Sequence, residues 1–215
     1  MELILRLYSL PYDPDFPVVC FDERPCFLIG NTIEPISMKK GKPLKENHSY
    51  SKHGSCSVLA SIEPLTGKRI AHVRKKRRKK EFAEFMMTLA QAYPDAIKIK
   101  VVLDNLNTHD SSAFYEVYEA QTAEWLMNRF EFIFTPKSAS WLNMIEIEFS
   151  ALSRLCLNRR IPCMKELESE VLTFFKERTQ KGVKIIWQFT KAKARQTLNR
   201  HYTKVNSKNL KYGNT

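Results

Sequence analysis

The apolar positions of this chain fall into short blocks separated by polar stretches, and their spacing changes from block to block. The first block is Val18-Val19-Cys20-Phe21, opened by Pro17 and followed at once by Asp22-Glu23. β-branched and aromatic residues in so short a run predict a buried strand, here one that ends in acid. Glu34 to Ser55 is rich in Lys, Pro, Gly, Ser and His without periodicity. It reads as a long loop, and such loops inside a compact domain tend to be functional. Strands follow near Cys56 to Ile62 and Lys68 to Val73, joined by Glu63-Pro64-Leu65-Thr66-Gly67, a hairpin signal. Phe82, Phe85, Met86 and Leu89 then recur at the spacing of one helical face.

In the second half, Ile97 to Leu103 alternates with Lys98 and Lys100, turns fully apolar, and ends at Asp104-Asn105. This predicts a strand entering a core. Asp110-Ser111-Ser112 is placed to cap a helix running to about Asn128. Phe132-Ile133-Phe134 predicts another short strand, stopped by Thr135-Pro136-Lys137. Helices are expected from about Ser140 to Leu157, from Met164 to about Gln180, and briefly from Thr190; the polar tail after His201 is expected to fray. Strands alternating with helices imply parallel pairing, and the hairpin implies an antiparallel portion. A mixed α/β sheet with helices packed on it follows. No internal repeat or linker divides the chain, so one domain is expected.

Composition changes this picture little. Apolar residues make up 43% and charged residues 27%, an ordinary globular balance. No apolar run approaches the length of a membrane span, and Glu2 and Arg6 interrupt the opening stretch, unlike a secretory signal. Charge adds more: 35 Lys and Arg against 23 Asp and Glu leave +12, which favours a polyanionic partner such as nucleic acid. The cysteines, Cys20, Cys26, Cys56, Cys156 and Cys163, are odd in number and contain no C-x-x-C. They read as reduced thiols, not as a zinc site or a disulfide framework.

Two acids stand at the same kind of place, Asp22 after VVCF and Asp104 after IKIKVVL. Ligands of open α/β folds sit at the carboxyl ends of strands. Carboxylates ~4 Å apart repel by about 4 kcal/mol at an effective dielectric of 20, so clustering them calls for a cation. Hard oxygen ligands without a Cys or His cluster suit Mg²⁺ or Mn²⁺. A third acid is offered by the helix containing Trp141 to Glu148. Its apolar stripe is Leu142, Ile145, Phe149, Leu152 and Cys156. At ~100° per residue, Glu146 and Glu148 flank this stripe about 160° apart, so only one can reach a given site. Helical geometry leaves the choice open.

These residues also carry a family resemblance. VVLDNLNTH from Val101 to His109 and FTPKSASWLNMIEIEFSALSRLCLNRR from Phe134 to Arg160 resemble bacterial insertion-sequence transposases related to the mariner group. Those enzymes belong to the DDE superfamily. CFDE around Asp22 matches the first acidic motif, and IIWQFTKAKARQTL resembles the family's C-terminal segment. The resemblance implies a ribonuclease H-like (retroviral integrase-like) fold, a mixed five-stranded sheet flanked by helices over residues 1–200, with 201–215 as a polar tail. It implies Asp22, Asp104 and Glu146 as a catalytic, metal-binding triad, with Glu146 chosen over Glu148. It implies Mg²⁺ or Mn²⁺ as two ions. Asn105, His109 and Asn143 match family positions in support of the acids; Asn105 and His109 would orient Asp104 or touch the DNA backbone. The implied activity is cleavage of double-stranded DNA at transposon ends and strand transfer into target DNA, often at TA, by a homodimer in the bacterial cytoplasm, at the nucleoid when on DNA. The other reading is a catalytically silent remnant that binds DNA or pairs with other subunits; the presence of all three acids favours activity.

The unbroken run Arg74, Lys75, Lys76, Arg77, Arg78, Lys79, Lys80 is expected to contact DNA phosphates, and Lys137, just before the acidic helix, could touch another. Trp141 is a candidate for stacking on a base, against the commoner reading as core. His48 and His53 lack the spacing of a metal pair and read as exposed loop residues. Family members carry N-terminal helix-turn-helix modules, for which the position of Asp22 leaves no room. A separate end-recognising part is therefore expected as a partner.

Overall fold

The computed structural model describes residues 1–206 and Lys208. Its strands are β1 (Val18–Asn31), β2 (Tyr50–Ile62), β3 (Arg69–Arg74), β4 (Ile99–Leu103) and β5 (Phe130–Phe134). Its helices are α1 (Glu2–Tyr8), α2 (Lys79–Ala92), α3 (Ser112–Val117), α4 (Ala120–Arg129), α5 (Ile145–Leu155), α6 (Met164–Gln180), α7 (Lys191–Thr197) and α8 (Asn199–Val205). The strands form one sheet in the order β3-β2-β1-β4-β5. The hairpin-linked strands β1, β2 and β3 pair antiparallel, while β4 and β5, reached through helices, join in parallel. This is the expected mixed five-stranded sheet.

Side-chain alternation along the strands divides the interior into two cores. Cys20, Val58, Ala60 and Val102 face Ile145, Phe149 and Leu152 of α5 and Val171 and Phe175 of α6. Phe21, Leu59, Val101 and Leu103 face the opposite way, onto Phe82, Phe85, Met86 and Leu89 of α2, Phe114 of α3 and Leu126 of α4. The stripe read along α2 is thus the one that is buried.

Several elements differ from expectation, each for a reason. β1 does not end at its acids but continues to Asn31. Beyond Cys20 it keeps β2 as its only partner, because the parallel strand β4 stops at Leu103. Asp22 therefore lies within a strand, at the point where one neighbour ends. β2 starts at Tyr50, so Tyr50 to Ser55 is strand and not loop. The connection before it carries bridges between Ile36 and Lys45 and between Lys39 and Lys42. The single helix expected up to Asn128 is two, α3 and α4, broken by extended backbone at Tyr118 and Glu119. In one straight helix Phe114 and Ala123 would point about 180° apart. The break lets both reach the same core. α1 and α8 were not anticipated. They are tied together at Glu2, which accepts from Arg195 of α7 at 2.7 and 2.8 Å and from Tyr202 of α8 at 2.8 Å. Part of the segment expected to fray is thus helical to Val205, and the remainder of it, except Asn206 and Lys208, lies outside the described residues.

Candidate active site

The parallel register pairs Val18 with Lys100, Val19 with Val101 and Cys20 with Val102. Carried two residues further, it sets Asp22 beside Asp104, just past the end of β4. The helix predicted from Ser140 is interrupted at Asn143. A 3-10 turn covers Ser140–Leu142, Asn143 is extended, and α5 begins at Ile145. The interruption has a visible cause. Asn143 is 1% exposed, and its amide donates to the Phe21 carbonyl at 2.8 Å and toward Asp22 Oδ2 at 3.4 Å. One side chain thus pins the start of α5 to β1 at the acid, and places Glu146 in the first turn of that helix.

Asp22 is buried, and its Oδ1 accepts from the Glu23 amide at 2.7 Å. Burial, with the charges of Asp104 and Glu146, pushes its carboxyl up to about 7 against the pull of that amide and of His109. Both other acids are therefore felt at Asp22, and among the described residues no Lys or Arg forms an ion pair with Asp22, Asp104 or Glu146.

Behind Asp104 stands His109, 2% exposed and wedged against Phe21 and Phe82 with ring centroids 5.4 and 5.0 Å away. Its Nδ1 lies 2.7 Å from Asp104 Oδ1 and 3.2 Å from the Asp104 carbonyl. Its Nε2 lies 3.6 Å from Glu23 Oε1. Burial works against charge on this imidazole, but the facing carboxylates of Asp104 and Glu23 outweigh it and push His109 up to about 9. Buried as it is, His109 faces Asp104 and not the solvent. Glu23 was not singled out from the sequence. The available signal was a second acid next to Asp22 in an otherwise apolar strand.

Glu146 and Glu148 have opposite surroundings. Glu146 is exposed. Glu148 is fully buried and gripped by two guanidinium groups, Arg69 at 2.9 and 2.8 Å and Arg178 at 2.8 and 3.0 Å. Burial raises its carboxyl, yet those bonds win and hold it below the usual carboxylate range. With every acceptor position engaged, Glu148 ties β3, α5 and α6 together and has nothing left for a ligand.

Among the described residues, no group of three or more His, Cys, Asp or Glu side chains is gathered closely enough to hold a metal ion as it stands. The donors nevertheless fit a hard divalent cation. All are carboxylate oxygens, Asp104 is held by His109 through Oδ1, and Glu146 is exposed.

The basic run borders this site. Arg77 lines an open cavity of about 290 Å³ together with Glu23, Asn105, Leu106, Asn107 and Thr108. Its members are not equivalent. Lys79 is bound to Glu116 and to Ser112 Oγ, Arg74 and Lys80 lie 3.6 and 3.9 Å from Glu84, and Arg78 is the N-cap residue of α2. Lys75, Lys76 and Arg77 are exposed. Lys137 is exposed in the connection from β5. Trp141 is 45% exposed, its ring edge-on to Phe189 at 5.4 Å, so it is neither core nor wholly free.

The profile of the family described as DDE superfamily endonuclease matches residues 17–168, which span all three acids. The chain belongs to the DDE superfamily endonuclease family. Its fold is similar to that of a chain in the Mos1 mariner paired end complex with Mn, 14% identical, TM-score 0.57, covering 98% of this chain and 60% of that one. It is similar to Mos1 transposase in a paired-end complex with left transposon end, 13% identical, TM-score 0.58, covering 99% and 61%. The Mos1 strand transfer complex gives 13%, 0.57, 99% and 60%. At such identity the likeness shows the fold, ribonuclease H-like as expected. This DDE chain spans about 60% of the length of those Mos1 chains. No curated protein matches it in sequence. No helix of the described residues is long and apolar enough to cross a membrane.

Proposed function

We propose that this chain is the catalytic domain of a DDE transposase, cleaving DNA strands at transposon ends and transferring them into target DNA. The observation that carries the reading is the register of β1 on β4, which sets Asp22 beside Asp104 where β4 stops, with Glu146 brought in by α5 over Asn143. Membership of an endonuclease family and the likeness to Mos1 assemblies on transposon DNA support it.

In this reading Asp22, Asp104 and Glu146 hold divalent cations, Mg²⁺ or Mn²⁺, as a pair. When bound, the cations would polarise the phosphodiester and stabilise the entering and leaving oxygens. The chain's own residues do the rest. Asn143 fixes the distance between β1 and α5. His109 fixes Asp104. Lys75, Lys76 and Arg77 draw the DNA backbone to the rim, and Lys137 and Trp141 extend that surface toward α5. Asn105 lies on the loop between the rim and the acids. Two copies acting on paired ends, with a separate end-recognising part, complete the proposal, which places the enzyme in the bacterial cytoplasm and on the nucleoid.

The test is nicking of supercoiled plasmid at low salt with Mg²⁺, Mn²⁺ or EDTA. Metal-dependent nicking that disappears in Asp104→Asn supports the assignment. Equal activity in both proteins refutes it, and DNA binding without nicking favours a silent remnant.

A further inference from the structure

Glu23 is buried on β1 and neither of its carboxylate oxygens accepts a hydrogen bond. A buried carboxyl group left without a partner is costly. The group that faces it is the imidazole of His109, with Nε2 3.6 Å from Oε1 and both side chains fully shielded from solvent. The other nitrogen of the same ring is 2.7 Å from Asp104 Oδ1. Because successive residues of a strand point to opposite faces, Asp22 and Glu23 leave β1 in opposite directions. Asp22 turns toward Asn143, and Glu23 toward the aromatic core of Phe21 and Phe82 that holds His109. One dipeptide thus supplies an acid to the front of the site and a brace to the back of its partner acid.

We propose that Glu23 is a positioning residue, which acts through His109 to fix the carboxylate of Asp104 and thereby the divalent-cation site. This rests on the reading of Asp22, Asp104 and Glu146 as cation ligands. A carboxylate behind a histidine that orients a ligand is an outer-shell arrangement whose loss typically weakens metal binding 10- to 100-fold. Glu23 itself does not touch the cation or the DNA. Its effect passes through the ring orientation of His109, which has two packed phenyl rings and two carboxylates to define it.

The test measures Mn²⁺ binding to the purified chain by the electron paramagnetic resonance signal of free Mn²⁺, without DNA. Glu23→Gln preserves shape and replaces one carboxyl oxygen by an amide nitrogen. It is expected to raise the Mn²⁺ dissociation constant about 10-fold. The nicking rate at saturating Mn²⁺ should stay near wild type, with only the Mn²⁺ requirement raised. His109→Asn should weaken binding at least as much, and the double variant should be no weaker than His109→Asn alone, because the two lie on one path. Wild-type Mn²⁺ affinity in folded Glu23→Gln, or losses that multiply in the double variant, would overturn the inference. If Glu23→Gln does not fold, Glu23→Asp keeps the carboxyl group and withdraws it by one methylene. Weakened binding then supports the inference and unchanged binding refutes it. Asp104→Asn measured alongside separates the two levels. If it binds Mn²⁺ normally, the reading of the acids fails. If it loses binding while Glu23→Gln does not, only the role of Glu23 fails.

Discussion

Two carboxylate clusters lie two residues apart on α5, and they solve the same electrostatic problem in opposite ways. Around Glu148 the protein supplies its own cations. Arg69 and Arg178 each grip the carboxylate with two bonds, and the group is held firmly ionised. Among the described residues, no Lys or Arg forms an ion pair with Asp22. Burial, with the charges of Asp104 and Glu146, pushes its carboxyl up to about 7, and His109 sits behind Asp104. A cluster that is complete within the chain is a structural joint. One that lacks its counter-charge is, in the proposed function, the place of an outside cation. The contrast distinguishes Glu146 from Glu148 where the helical wheel did not.

The comparison can be broken most severely at the acids. Asp22→Asn and Asp104→Asn are each expected to reduce plasmid nicking to the EDTA level while leaving the fold intact, checked by circular dichroism. Glu148→Gln should do the reverse, because it strands the buried Arg69 guanidinium. A loss of about 3–5 kcal/mol is expected, read as a lower midpoint in urea. A protein with wild-type stability after that change would remove the distinction between the clusters.

Smaller effects sharpen it. Without metal, Asp22 holds its proton more tightly folded than unfolded, so ionising it costs stability as pH rises from about 4 to about 7. A divalent cation must displace that proton. Its stabilising effect is therefore expected to be small at pH 6 and larger at pH 8, approaching about 2.7 kcal/mol at a hundredfold excess over the dissociation constant. Thermal melts at the two pH values, with and without EDTA, check this. At the rim, replacing Lys75, Lys76 and Arg77 by Gln should flatten the slope of log binding constant against log salt by about 2.7, if each contacts one phosphate. Replacing Lys79, already bound to Glu116 and Ser112, should change that slope least.

How much of this was legible beforehand depended on how local the cause was. α6 was read at its actual limits, and the apolar faces of α2 and β4 were evident, because period and burial coincide within one segment. The acids after β-type runs were legible for the same reason. The break at Asn143 was not. It exists to satisfy the carbonyl of Phe21 and meet Asp22, more than a hundred residues earlier, and no local pattern reports such a partner. Glu148 looked like an edge residue because Arg69 and Arg178 arrive from β3 and α6. The helix at the N-terminus was hidden likewise, its Glu2 being held by Arg195. Glu23 was overlooked because its use depends on His109, brought there by a loop after another strand.

In the proposed site the acid at Glu146 serves a cation, and the acid at Glu148 serves the fold. This is tested most directly by the Mn²⁺-induced shift in Tm, measured for wild type, Glu146→Gln and Glu148→Gln. Glu146→Gln is predicted to melt like wild type without metal and to lose most of the shift. Glu148→Gln is predicted to melt well below wild type without metal and to keep an upward shift. The opposite pattern, with Glu146→Gln destabilised and still responsive to Mn²⁺ while Glu148→Gln is stable and unresponsive, would contradict the account.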